Sequence, residues 1–295
     1  FEFGDLGATI GANLKYLDPT FDGPTGTSEN KTGFGATTDL GVADINGQPA
    51  KVLRVPGDLD RRLGYILDPR ISPNGGGTRV NQYTLIMDVL VAETGAGAAS
   101  LWQTSSANNT DDGDLFWQGN NFGQGGGGYN GTGAFTTGSW HRIAAAYDMA
   151  ATPPVVRKYV DGIFQDNWTN NQGLDNPRRT IADTAILFGD GDQDERREMW
   201  VNSVQIRSGA LSAAELESLG APTSGGIPIV LANVVVPPAV SVGADSAGNV
   251  IITFTGTLEA SPGLGQAFVP VSGATSPYTI NKGDLKSLQL YRSSN

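Results

Sequence analysis

The run Tyr83–Ala92 (YTLIMDVLVA) narrows the choice of fold more than any other part of the chain. In an extended backbone, alternate side chains point to opposite faces. That puts Tyr83, Leu85, Met87, Val89 and Val91 on one face and Ile86 and Leu90 on the other. A strand that is apolar on both faces has to be covered on both, which predicts a central strand of a sheet sandwich. Shorter strand-like runs surround it: Lys51–Val55, Ala99–Gln103, Asp114–Gln118, Trp140–Asp148, Val155–Val160, Ile163–Trp168, Ala185–Phe188 and Met199–Ile206. Polar or glycine-rich stretches separate them, among them Asn74–Gly77, Ser105–Gly113 and Gly123–Gly133, the last with seven glycines in eleven residues. Asp161-Gly162 between two strand-like runs is a two-residue hairpin signal. Short strands joined by many turns predict an all-β chain, an antiparallel two-sheet jelly-roll sandwich.

One helix is predicted, over Ser212–Leu219. Ser212 stands three residues before Glu215, the spacing of a capping box, and Leu216 and Leu219 share a face. Gly220 and Pro222 stop the helix. Gly220–Pro228 (GAPTSGGIP) reads as a linker, which divides the chain into a sandwich over 1–222 and a small β domain over 229–295. In the latter, Ile229–Val236, Val250–Phe254, Gln266–Val271 and Ser287–Arg292 are predicted strands, an immunoglobulin- or fibronectin-like set.

Five segments in order resemble the laminin-G-like, concanavalin-A-like jelly rolls of secreted bacterial proteins: Asn81–Leu85, Gly113–Phe116, Gly138–Arg142, Lys158–Gly162 and Trp200–Ile206, closed by Leu211–Glu215. The tail (Gly256–Ser261, Ser276–Thr279, Leu290–Arg292) is similar to small C-terminal β domains of large secreted proteins. The resemblance implies a concanavalin-like fold that binds glycans or proteins, or that spaces other parts. It does not select among these, because one fold hosts many functions.

Charge and chemistry narrow the field. The net charge is -11, which repels phosphate backbones and argues against nucleic acid as a partner. No stretch approaches the roughly 20 apolar residues of a membrane span. The chain opens on Phe1-Glu2-Phe3 without a signal peptide, as expected of a secreted product whose targeting segment has been removed. With no cysteine and a single histidine, His141, triads and zinc clusters are disfavoured, and His141 reads as a half-exposed strand residue. Retaining glucanases of this shape need two carboxylates roughly 5 Å apart on one strand face. Met199–Ile206 carries no acid, and the acids before it crowd around Gly191. A polysaccharide-degrading enzyme is therefore the third choice.

Oxygen-rich turns make calcium the plausible ion. One candidate set is Asp190, Asp192 and Asp194; the other is Asn109, Asp112 and Asp114, with Asp111 between them. For glycan stacking the candidates are Trp117, flanked by Gln118 and Asn120, Trp168, flanked by Asn167 and Asn170, and Tyr129 in the glycine run. Trp140 and Trp200 are expected in the core. The leading expectation is an extracellular module for polysaccharide or surface glycoprotein, assisted by calcium. The alternative is a subunit of a filament or surface layer that self-assembles through its terminal strands.

Overall fold

The computed structural model describes residues 5–17, 28–57, 64–95, 97–105, 115–124, 128–169, 173–189, 195–229, 239–285 and 289–294. The chain is all-β and antiparallel, and forms two compact units, Phe1–Leu231 and Ala232–Asn295. No described helix is long and apolar enough to cross a membrane.

In the first unit the strands are β1 (Lys15–Tyr16), β2 (Gly33–Ala36), β3 (Lys51–Val55), β4 (Tyr65–Leu67), β5 (Gln82–Val91), β6 (Ala99–Gln103), β7 (Leu115–Gln118), β8 (Asn121–Gly123), β9 (Trp140–Asp148), β10 (Val155–Val160), β11 (Ile163–Thr169), β12 (Ala185–Leu187) and β13 (Met199–Ser208). One sheet runs β1-β4-β12-β6-β7-β8, the other β11-β10-β9-β5-β13-β3-β2. The inner faces share one core: Leu101, Trp102, Leu115 and Leu187 from the first sheet meet Leu85, Met87, Ile143, Val156 and Val201 from the second. β5 lies between β9 and β13, and nine of its ten residues are buried, as its two apolar faces require. Trp140 and Trp200 are half-buried against a satellite cluster of Ile45, Ala50 and Val52.

A four-residue helix, α1 (Ser28–Lys31), precedes β2, and the second face of β5 is covered by α2 (Ala213–Ser218) and the segment after it. Ser212 caps this helix with the predicted capping box. Leu216, Leu219 and Ile227 are buried on Ile86, Ala144, Ala146 and Tyr159, each burial contributing about 1.5–3 kcal/mol. Residues 220–228, expected as a linker, are therefore a strap on the sheet. Asn46 Nδ2 donates to Pro222 O (2.9 Å), Gln205 Nε2 to Ile227 O (2.8 Å) and Arg207 Nη2 to Pro228 O (2.5 Å). Beneath the strap, Asp88 receives Arg142 Nε and Nη2, both at 2.7 Å. Arg142 also donates to Leu219 O (2.6 Å) and Gly226 O (3.0 Å).

β10 and β11 are joined by Asp161-Gly162, with φ of 53° and 77°. Two left-handed residues make the hairpin turn that the Asp-Gly pair predicted. A Cβ on Gly162 would lie 2.6 Å from Glu217 O, so glycine also lets the turn approach α2.

The second unit has β14 (Val240–Ala244), β15 (Val250–Phe254), β16 (Thr257–Ser261), β17 (Val269–Pro270), β18 (Tyr278–Ile280) and β19 (Leu290–Ser294). They form two three-stranded sheets, β14-β15-β18 and β17-β16-β19, around Ile252, Phe254 and Leu258. The strand expected over Gln266–Val271 shortens to β17. The one expected over Ile229–Val236 falls largely outside the described residues.

Candidate ligand-binding loop

The described parts of the glycine-rich stretch, residues 123–124 and 128–133, are pinned from below. β7 turns tightly through Gly119-Asn120 into β8, and the chain then crosses to Phe135, which is buried. Three buried side chains hold its carbonyls. Trp117 Nε1 donates to Phe135 O (2.8 Å) and Trp168 Nε1 to Gly128 O (3.1 Å). Lys158 Nζ donates to Phe122 O (3.0 Å) and Asn130 O (2.7 Å). From the side, Gln165 Oε1 accepts from Thr132 N (2.9 Å) and Thr132 Oγ1 (2.7 Å), and Asn121 Oδ1 accepts from Gly133 N (3.0 Å). Gln165 is free to reach over because the β10–β11 register slips between Lys158 and Tyr159, leaving it as the extra residue of a bulge.

Lys158 is the residue the sequence reading missed. Its side chain is fully buried, with the ammonium 5.0 Å from the Trp168 ring centre and 5.6 Å from that of Phe122. Burial lowers its pKa to about 8, against a smaller upward pull from Asp166, whose Oδ2 is 3.9 Å away. The missed signal was its place in Val155–Val160: Lys158 shares a parity with Val156 and Val160, the core face. Gln124 is also buried, and among the described residues neither end of its amide has a hydrogen-bond partner.

The exposure expected of Trp117 and Trp168 is corrected: they are 5% and 2% exposed. Their ring faces are also taken, Trp117 by Arg197 at 4.6 Å and Trp168 by Arg179 at 4.9 Å in addition to Lys158. The polar neighbours that suggested exposure do point outward, since Gln118 and Asn167 are exposed. In a strand, an outward residue means an inward neighbour, so the flanking amides signalled buried indoles. Tyr129 is half-buried on the loop, beside exposed Asn130 and Thr132. The structure thus gathers all three predicted aromatic residues at one loop, two as anchors and one on the loop itself. The calcium candidates Asp190, Asp192 and Asp194, and Asn109, Asp112 and Asp114, lie outside the described residues. Among the described residues, no three His, Asp or Glu side chains converge as metal ligands.

Tight backbone packing makes the loop sensitive to one methyl group. A Cβ on Gly123 would sit 2.2 Å from Gly128 O, a backbone atom that cannot swing aside. Gly123→Ala is expected to cost about 1–3 kcal/mol by overpacking and to speed amide exchange across residues 121–135. Urea unfolding with hydrogen exchange checks this, and an unchanged loop would show that the contact relaxes freely.

His141 joins a hydroxyl to a carboxylate. Its Nδ1 donates to Asp161 Oδ2 (2.8 Å), its Nε2 lies 3.0 Å from Thr136 Oγ1, and Asp161 Oδ1 accepts from Arg142 N (2.8 Å). This has the connectivity of a catalytic triad. It also braces the Asp161-Gly162 turn, and the imidazole packs edge-on to Phe135. Two hollows of about 280 and about 400 Å³ lie away from both places, along Thr9–Asn13 and Asp68. Their described walls contain no aromatic ring, the group on which a sugar stacks.

No family model matches the chain, and no curated protein matches it. Solved structures similar to it include the Trypanosoma rangeli sialidase, with 18% identity over 60% of this chain and a TM-score of 0.42. The chain spans 28% of that sialidase. The binding domain of Paraclostridial Mosquitocidal Protein 1 is 15% identical over 87% of this chain and 68% of its own, with a TM-score of 0.40. The botulinum neurotoxin serotype D binding domain is 9% identical over 72% and 66%, with a TM-score of 0.37. Likenesses this low carry no argument about activity or ligand.

Proposed function

We propose that this chain is an extracellular, non-catalytic module that binds polysaccharide or glycoprotein glycan through residues 121–124 and 128–133 and the adjoining edge of β11. One observation carries the reading: the loop backbone is held by buried indole and ammonium groups and by the half-buried amides of Asn121 and Gln165, while Tyr129, Asn130 and Thr132 stand on it and Asn167 beside it. A held loop loses little conformational entropy when a ligand arrives. A phenol ring among amides and hydroxyls offers a sugar both a stacking face and planar hydrogen-bond partners. The oxygen-rich segments 109–114 and 190–194 are our candidates for a supporting calcium ion.

A glycan array, run with calcium and with chelator, tests this directly. Binding to a defined set of glycans is expected. Tyr129→Ala should weaken it by at least about tenfold, the scale of an aromatic contact worth roughly 1.4 kcal/mol, while the variant remains folded. An array without binders, or binding that ignores Tyr129→Ala, would remove this loop as the site.

A further inference from the structure

In the second unit, a five-residue strand is exposed along its whole length. This strand, β14, is an edge of the β14-β15-β18 sheet. Its register pairs Val240 with Phe254 and Val242 with Ile252, so both valines lie on the face that carries this unit's core. Yet Ile252 is 0% exposed, whereas Val242 is 66% exposed. The apolar face continues past the point where its cover ends.

Edge strands are normally blunted by charge or proline. β17, an edge of the other sheet, carries Pro270, and β19, its opposite edge, carries Arg292 paired to Glu259. β14 (VSVGA) carries neither, and unlike the three-residue β18 (YTI), the other edge of its sheet, it is exposed along its whole length. β14 itself holds no charged residue, in a chain of net charge -11. A second copy laid along it therefore sets no like charges directly opposite each other within the strand pair.

We propose that β14 is a self-association edge, on which a second copy of this chain lays its own β14 antiparallel, two-fold symmetric about Val242. Two three-stranded sheets then become one of six strands. The strand is its own complement: a two-fold axis makes the pairing antiparallel, and valine meets valine across it. A pair of five-residue strands makes a small interface, so the dimer forms in a concentration-dependent way. The inference stands independently of the glycan reading.

The test uses the full chain in sedimentation velocity and light scattering. The mass should rise with concentration towards twice the 30.8 kDa of one chain, and Val242→Lys should return it to the monomer. Because the chain has no cysteine, Val242→Cys gives a clean second readout. Cβ atoms opposite each other in an antiparallel pair lie about 4.5–5.5 Å apart, close enough to oxidise to a disulfide after small adjustment. Its cross-linking should be at least about tenfold faster than that of Ile163→Cys, an exposed control outside the pair, because pairing raises the local thiol concentration. A monomer at every concentration, a dimer that survives Val242→Lys, or equal cross-linking of the two cysteine variants would each overturn the proposal.

Discussion

Asp88→Ala is expected to lower the unfolding free energy by about 3–5 kcal/mol, the range for breaking one partner of a buried ion pair. The side chains of Asp88 and Arg142 are 0% and 2% exposed. Water cannot replace the lost carboxylate, so the guanidinium would stay buried with its charge uncompensated. Loss of water pushes the Asp88 carboxyl above its ordinary range, and the hydrogen bonds and charge of Arg142 oppose that push. Arg142 also bonds Leu219 O and Gly226 O, so its disorder would release the C-terminal end of α2 and the strap over 220–228 together. Protease cleavage within 220–228 should therefore speed up in Asp88→Ala before global unfolding sets in. The pair Asp88→Leu with Arg142→Met should recover part of the loss, because apolar groups of similar volume remove the charge that has no partner. Recovery stays partial, since the carbonyls of Leu219 and Gly226 lose their donor. Urea unfolding of the three variants reads all of this. A change within about 1 kcal/mol for Asp88→Ala, as for an exposed pair, would show that the site admits water.

The second large effect is one of pH. Lys158 titrates at about 8 in the fold and near 10.4 in an unfolded chain. Between those values the unfolded state binds more protons, so the stability contributed through this group rises as pH increases from about 8 to about 10.4. Below pH 8 the buried charge holds stability back by its full amount, about 3 kcal/mol at 1.36 kcal/mol per pKa unit. Lys158→Met removes this dependence but orphans the carbonyls of Phe122 and Asn130, at about 1–3 kcal/mol for each buried group left unpaired. The variant should be less stable than the parent at pH 7, and the gap should widen up to pH 10. Unfolding curves of both proteins at a series of pH values measure the gap. A constant gap would mean that the ammonium is solvated, and would weaken the account of how the loop is held.

Much of the fold was legible because its signals are local. Two-residue periodicity located β3, β5, β6, β9, β10 and β13 to within a few residues, and Asp161-Gly162 and Ser212–Glu215 announced their turn and cap. The boundary of the first unit was less legible. Residues 220–228 are rich in glycine and proline, as a linker would be, but the donors that dock them (Asn46, Arg142, Gln205 and Arg207) are distant in sequence. The candidate site was half legible. A glycine-rich loop with nearby aromatic residues marked the place, and the roles within it were misassigned for Trp117 and Trp168.

By itself, then, the sequence determined an all-β chain, the order of its strands, one capped helix and the position of the glycine-rich loop, because each depends on residues no more than a few places apart. Tertiary structure decided which indoles anchor the loop, that Lys158 is a buried donor to carbonyls 28 and 36 residues away, and that Arg142 and Asp88, 54 residues apart, hold the strap. The physical reason is that burial is not a property of a residue type. The same lysine is solvated on an outward face and costs several kcal/mol on an inward one, and the face depends on which strands come to lie across it.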